Sequence, residues 1–271
     1  MSSLNQIIPN NKSTVRDKAL FLVLVIIAFV IILRVLTSLF AWLFSPSENP
    51  ILIDGTVEAK HMKIISQNPS SKNGVPIMRS VNERDGLDFT WSVWVFLDGY
   101  TYKQNEYKHI FHKGNDNITQ LGLNKHINAP GLYLTPDTND LLVIMNTFDK
   151  INEEVIVKDV PINKWVNILV RVSNQKQLDV YINGVLTKRH ILESVVRQNY
   201  EDVYVNMNGG FDGYLSSLRY FNSALGTTSI KKIVSNGPNL NRIESKNYTQ
   251  SKPKYLSTRW YFNNNDEVYN L

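Results

Sequence analysis

The residues able to do chemistry in this sequence are a few carboxylates, imidazoles and tyrosines, and their spacing decides what they can do together. Glycoside hydrolysis needs two carboxylates held across the scissile bond. Glu153-Glu154 and Glu201-Asp202 are adjacent pairs; neighbours on a strand point to opposite faces, and both pairs stand in turn-like surroundings, so they read as solvated loop charge. His109 and His112 are three apart on a predicted strand, which also sets them on opposite faces and favours packing or surface hydrogen bonding over a shared metal. Asp137, Asn139 and Asp140 offer the oxygen ligands calcium takes, yet the same residues after Pro136 are what a turn requires. The expectation is therefore no cofactor, with calcium at this turn as the exception.

Tyr100, Tyr102 and Tyr107 share one loop and are the candidate glycan contacts, with packing at the loop stem as the competing role. A second aromatic group, Tyr255, Trp260, Tyr261 and Phe262, lies in the tail. Asn117-Ile118-Thr119 and Asn247-Tyr248-Thr249 have the acceptor pattern for N-glycosylation. With no cysteine in 271 residues, disulfides, thiol nucleophiles and Cys-ligated metal are excluded.

These groups must be carried by strands. Phe89, Trp91, Val93, Val95 and Leu97 alternate with Thr90, Ser92, Trp94 and Phe96, the period of a central strand whose second face becomes apolar at its far end. Further strands are predicted at 108–113, 131–134, 141–148, 155–160, 165–172, 178–182, 203–207 and 214–221. Asn183-Gly184 marks a tight hairpin, since both turn positions need positive φ. The step from Leu215 to Leu218 and Tyr220 predicts a bulge at Ser216-Ser217. One short helix, 229–234, is expected to be capped by Thr227 or Thr228 and stopped by Gly237-Pro238. Short strands at this spacing with almost no helix predict an all-β, two-sheet antiparallel sandwich.

Ahead of it, from Ala19 to Phe44, runs a stretch broken by one charge, Arg34. Its 26 residues reach about 39 Å as a helix, enough to cross a bilayer with tilt. Arg34 either snorkels to a headgroup layer, helped by Thr37 and Ser38, or pairs with an acidic group of another membrane-embedded chain. The run is too long for a signal-peptide core and ends in Trp42, Leu43 and Phe44, so it reads as an uncleaved anchor with Trp42 at the interface. Lys12, Arg16 and Lys18 against Asp17 place the N-terminus in the cytoplasm and the remainder across the membrane. Much of the net charge of +5 lies in this region, and it carries no argument for a nucleic-acid partner. The organisation expected is a polar arm (1–18), the span (19–44), a linker with the first strands (45–84), the sandwich (85–240) and a tail (241–271). RWYF, at 259–262, reads there as a strand that pairs with 51–65 or docks on a neighbour.

FTWSVWVFLD (89–98), HIFHKG (109–114), the run from Val160 to Leu186 and the run from Gly209 to Pro238 together resemble the laminin G-like, concanavalin A-like jelly-roll domains over 88–238. The fold-signature positions are Trp94, Trp165, Asn183, Gly184 and Gly213, with Trp165 expected to close the sandwich edge. The resemblance implies two facing, curved sheets and several possible functions: glycan binding, protein binding, polysaccharide hydrolysis or a structural role. The Glu-x-Asp-x-x-Glu run of laminarinase-like relatives has no counterpart here. An N-terminal anchor, no cysteine and 31 Asn look similar to proteins of this fold from large double-stranded DNA viruses with an internal membrane. The reading is a non-enzymatic, single-span protein at the lipid bilayer, a minor structural virion protein joining membrane to capsid through other structural proteins. The alternative is a lectin-like glycan receptor at the surface, with a polysaccharide-processing enzyme third.

Overall fold

The computed structural model describes residues 14–71, 74–80 and 87–243. The chain forms two compact units, one holding the N-terminal helix and the other beginning at Pro46. Helix α1 spans Val15–Phe44, four residues longer at its start than the apolar run, because Thr14 and Asp17 form a reciprocal capping box that satisfies its first N–H groups. It is long and apolar enough to cross a membrane, a property it shares with signal sequences. The Thr37 hydroxyl donates to the Arg34 carbonyl at 3.0 Å, so it serves the backbone and not the guanidinium.

The second unit is a sandwich of two six-stranded antiparallel sheets. Sheet I has the order β1 (Thr56–Glu58), β12 (Gly213–Phe221), β3 (Phe89–Leu97), β8 (Trp165–Ser173), β9 (Gln177–Ile182), β10 (Val185–Ile191). Sheet II has the order β2 (Lys63–Ile65), β11 (Val203–Val205), β4 (Lys108–Lys113), β5 (Gly131–Leu134), β6 (Leu141–Met145), β7 (Glu153–Val157). The segment expected to be linker and first strands supplies one edge strand to each sheet. The expected tail strand at 259–262 lies outside the described residues, but 241–243 run beside β1, with the Thr56 N–H donating to Asn241 O and the Ile243 N–H to Thr56 O.

Alternation puts Phe89, Trp91, Val93, Val95 and Leu97 of β3 and Val166, Ile168, Val170 and Val172 of β8 into one core with Leu132, Val143 and Phe111 of sheet II. The hairpin turn has Asn183 at φ 51° and Gly184 at φ 78°, the pair of left-handed residues a two-residue turn requires. The predicted bulge is present as a register shift between Ser216 and Arg219, with Ser217 at φ 50°. At Gly213, φ 141°, a Cβ would stand 1.9 Å from Phe96 O, so no other residue fits that approach. Helix α2 runs Thr227–Asn236, and the residue before it is Gly226, with no side-chain cap bond; the expected threonine cap fails because both threonines are already inside the first turn.

Two further expectations are corrected. Trp165 does not close an edge, since β8 lies between β3 and β9; its side chain stands on the outer face of sheet I. Glu153 is no solvated loop charge: it opens β7, is 2% exposed, and accepts from His190 Nε2 at 2.8 Å and the Glu193 N–H at 3.1 Å. Because β10 and β7 are edge strands of opposite sheets among the described residues, this carboxylate ties the two sheets together at one side.

Candidate functional site

The outward residues of β3, β8 and β12 determine what the outer face of sheet I can touch. Cross-strand register sets Phe96 opposite Trp165 on one side and Tyr214 on the other. The result is a row of rings across three strands: Phe96 to Trp165 at 5.6 Å and Phe96 to Tyr214 at 6.4 Å, both edge to face. All three are half-buried. Thr56, Leu240 and Arg242 complete the walls of a cleft of about 220 Å³, and the Arg242 guanidinium lies 5.7 Å from the Tyr214 ring centre. Ring faces with a cation at the rim can stack on the C–H face of a sugar and donate to its hydroxyls. Among the described residues no carboxylate lines the cleft, whereas glycoside hydrolysis uses a pair of them.

None of the three expected glycan contacts lines this cleft. Tyr100 is 44% exposed. Tyr102 donates to Gly209 O at 3.2 Å beneath the Lys60 ammonium. Tyr107 packs against Tyr133, Leu142 and Ile144. Trp165 was legible in the sequence as a fold residue; Phe96, Tyr214, Leu240 and Arg242 were missed as contacts. The available signal was the far end of the second β3 face turning apolar at Trp94 and Phe96. Trp94 itself is buried against the end of α2, beside Ile233 and Gly237.

The two histidines are brought together, against expectation. A register shift between His109 and Phe111 turns Ile110 and Phe111 both inward, and so leaves His109 and His112 on the same outer face of sheet II. His109 Nε2 and His112 Nδ1 are 2.6 Å apart. The Met207 N–H donates to His109 Nδ1 at 3.0 Å and His112 Nε2 lies 2.7 Å from Asn115 O. These partners fix both tautomers: His109 carries its proton on Nε2, His112 on Nε2, and both rings are neutral. Burial pushes His109 well below the ordinary imidazole range, with the His112 charge adding to it, and pushes His112 down to about 4. Among the described residues no group of three His, Cys, Asp or Glu can hold a metal. At the turn considered for calcium, Asn139 Nδ2 donates to Val160 O at 2.8 Å and Asp140 Oδ1 accepts from the Asp159 N–H at 2.9 Å, bonds that hold a loop.

A second concavity, about 200 Å³, opens between the sheets at the end where Phe89, Trp91 and Tyr220 meet Lys113. Lys113 is 7% exposed, donates to Glu201 O at 2.6 Å, and burial lowers its ammonium to about 8.

A family model described as "Concanavalin A-like lectin/glucanases superfamily" (Laminin_G_3) matches residues 70–231. A search of curated proteins finds no sequence match. Among similar solved structures, the botulinum neurotoxin serotype D ligand-binding domain in complex with N-acetylneuraminic acid is 12% identical with a TM-score of 0.49, covering 70% of this chain and 46% of that one. The botulinum neurotoxin DC binding domain in complex with rat synaptotagmin II is 11% identical with a TM-score of 0.42, covering 55% and 35%. The chain thus spans less than half the length of these toxin domains.

Proposed function

From the premise that the chain belongs to the laminin G-like family of the concanavalin A-like lectin/glucanase superfamily, we propose that it is a non-catalytic, membrane-anchored recognition protein whose glycan contact is the cleft of Phe96, Trp165 and Tyr214. The observation that carries this reading is the unbroken row of rings across three strands, half-buried where an outer face ordinarily ends in polar side chains. Such rings give apolar area at little entropic cost, and strands hold them in place. Helix α1 is the single-pass anchor in this reading, with the basic N-terminal flank in the cytoplasm. The full chain in nanodiscs on a glycan array tests it. Binding to a glycan class that falls by at least about tenfold in Trp165→Ala and Tyr214→Ala, each removing one stacking ring, supports the cleft. Binding unchanged in both variants, or no binding at all, overturns it.

A second reading is the membrane-to-capsid scaffold, and a specific feature favours it. Strands β7 and β10, the last of their sheets among the described residues, meet through Glu153 and His190 and carry Ile156, Val185 and Ile191 about half exposed or more, the kind of apolar edge that takes another chain. Crosslinking mass spectrometry on the native membrane or particle separates the readings: links from Lys188 to a coat protein support the scaffold, and links only within the chain count against it.

A further inference from the structure

The concavity between the sheets combines aromatic walls with a buried ammonium, Lys113, and has Arg79, Gln198 and Asn199 at its rim. Its apolar walls include Phe89, Trp91, Tyr220, Ile77 and Ala129, with the Trp91 and Tyr220 rings edge to face at 5.2 Å. At its polar end Lys113 donates to Glu201 O and, at 3.4 Å, to Asn199 Oδ1, with no carboxylate in ion-pair reach among the described residues; an ammonium has three hydrogens to give. Among the described residues Gln67 Nε2 is enclosed without a partner, and the Tyr220 hydroxyl makes no hydrogen bond. The neighbouring acceptors are already engaged: Gln67 Oε1 takes the Ile77 N–H at 2.9 Å and Asn199 Oδ1 takes the Glu201 N–H at 3.2 Å.

We propose that this pocket binds a small ring-bearing carboxylate, its ring against Trp91 and Tyr220 and its anionic oxygens toward Lys113, Gln67 and the Tyr220 hydroxyl. A buried ammonium with one hydrogen still to give and an orphaned amide are costly unless something accepts from them, and a neutral apolar guest would accept from neither. A carboxylate has lone pairs enough for both and for the Tyr220 hydroxyl. The volume of about 200 Å³ holds one six-membered ring with its carboxyl group, against about 30 Å³ for a water. The site is independent of the outer aromatic cleft, with which it shares no lining residue.

The test is a titration of the full chain in detergent micelles with benzoate and with benzamide, its neutral analogue of the same shape, read from the methyl resonances of Ile77 and Ala129. Benzoate is expected to shift both methyls saturably and benzamide to bind at least about tenfold more weakly, the difference a charge-assisted hydrogen bond makes. Tyr220→Phe, which removes only the hydroxyl, is expected to weaken benzoate about fivefold. Lys113→Met is expected to abolish the preference for benzoate where its methyl spectrum remains native, and Tyr220→Phe carries the test where it does not. Equal binding of the two probes, or methyls unmoved by benzoate, overturns the proposal.

Discussion

The two outer faces of the sandwich bury polar groups by opposite means. On sheet I the solution is ionic: Asp179, fully buried, takes Arg171 Nη2 at 2.5 Å and Arg189 Nε at 2.7 Å, and α2 covers the adjoining Leu169 and Tyr181 through Ile230. On sheet II the solution is neutral. The loop between β4 and β5 bonds His112 and Tyr133 through Asn115, Asn124 and Asn128, and every donor in the chain from Met207 through His109 and His112 to Asn115 has its acceptor, with the Tyr133 hydroxyl donating to Asn128 Oδ1 at 2.6 Å. A charged cluster depends on its counter-ion and a neutral one on the absence of protons. The first is vulnerable to truncation and the second to acid.

Truncation of the ionic face has the largest effect. Asp179→Ala leaves Arg171, itself 16% exposed, without its partner, and the expected loss is about 3–5 kcal/mol of unfolding free energy in urea titration, the range for breaking a buried pair from one side. Burial alone raises the Asp179 carboxyl, but hydrogen bonds from Arg189, Arg171 and Gln177 outweigh it and hold it below the ordinary range. Its contribution is therefore present at neutral pH and lost as pH falls through the depressed folded value.

The neutral face fails next, and over a different range. His112 titrates at about 4 when folded and near 6.5 when unfolded, so below pH 6.5 the unfolded chain takes up the proton that the folded chain refuses. Stability falls as pH drops from about 6.5 to about 4 and levels off beneath, a loss of roughly 3 kcal/mol for His112 alone, with His109 adding in the same direction. Thermal melts of the wild type and of His112→Gln across this range check it: the variant is expected to be less stable at pH 7 and flatter toward acid. Parallel pH slopes would show that the histidines are not the acid-sensitive element of this face.

This contrast also marks what the sequence could tell. Strands β3, β8 and β12, the Asn183-Gly184 turn and the bulge after Leu215 were readable because each rests on local rules: period two, positive φ, a three-residue step. The histidine pair was misread because a bulge at Ile110 has no local signature, and one extra residue reverses which side chains share a face. Glu153 was misread because its partners come from β10, almost 40 positions along the chain. The cleft was half legible: alternation put Phe96 on the outer face, but its meeting with Trp165 and Tyr214 depends on registers between distant strands, and Arg242 arrives from a segment with no pattern of its own.

A smaller effect tests how α2 is seated on sheet I. Gly184 has φ 78°, and a Cβ there would come within 3.2 Å of Val234 Cγ2 on α2. Gly184→Ala is expected to cost about 1–2 kcal/mol through the left-handed backbone, with faster amide exchange in α2 than in the sheet II loop if the helix gives way to the methyl. Equal exchange in the two places would mean that α2 absorbs the contact without loosening.

The smallest expected effect sharpens the comparison most, because it separates recognition from stability on one face. Arg242 is exposed and makes no ion pair among the described residues, yet its guanidinium stands over Tyr214. An exposed cation–π contact is worth about 0.5–1 kcal/mol, which corresponds to a roughly two- to fivefold change in affinity for a glycan that uses both ring and cation. Arg242→Gln keeps the hydrogen-bonding reach and removes the charge, so it is expected to weaken glycan binding by that factor and leave the urea midpoint unmoved. A shift in the midpoint with affinity intact would make Arg242 a strap that holds 241–243 against β1. In that case the rings alone would form the recognition surface, and face I would bind as face II folds, without using its charges.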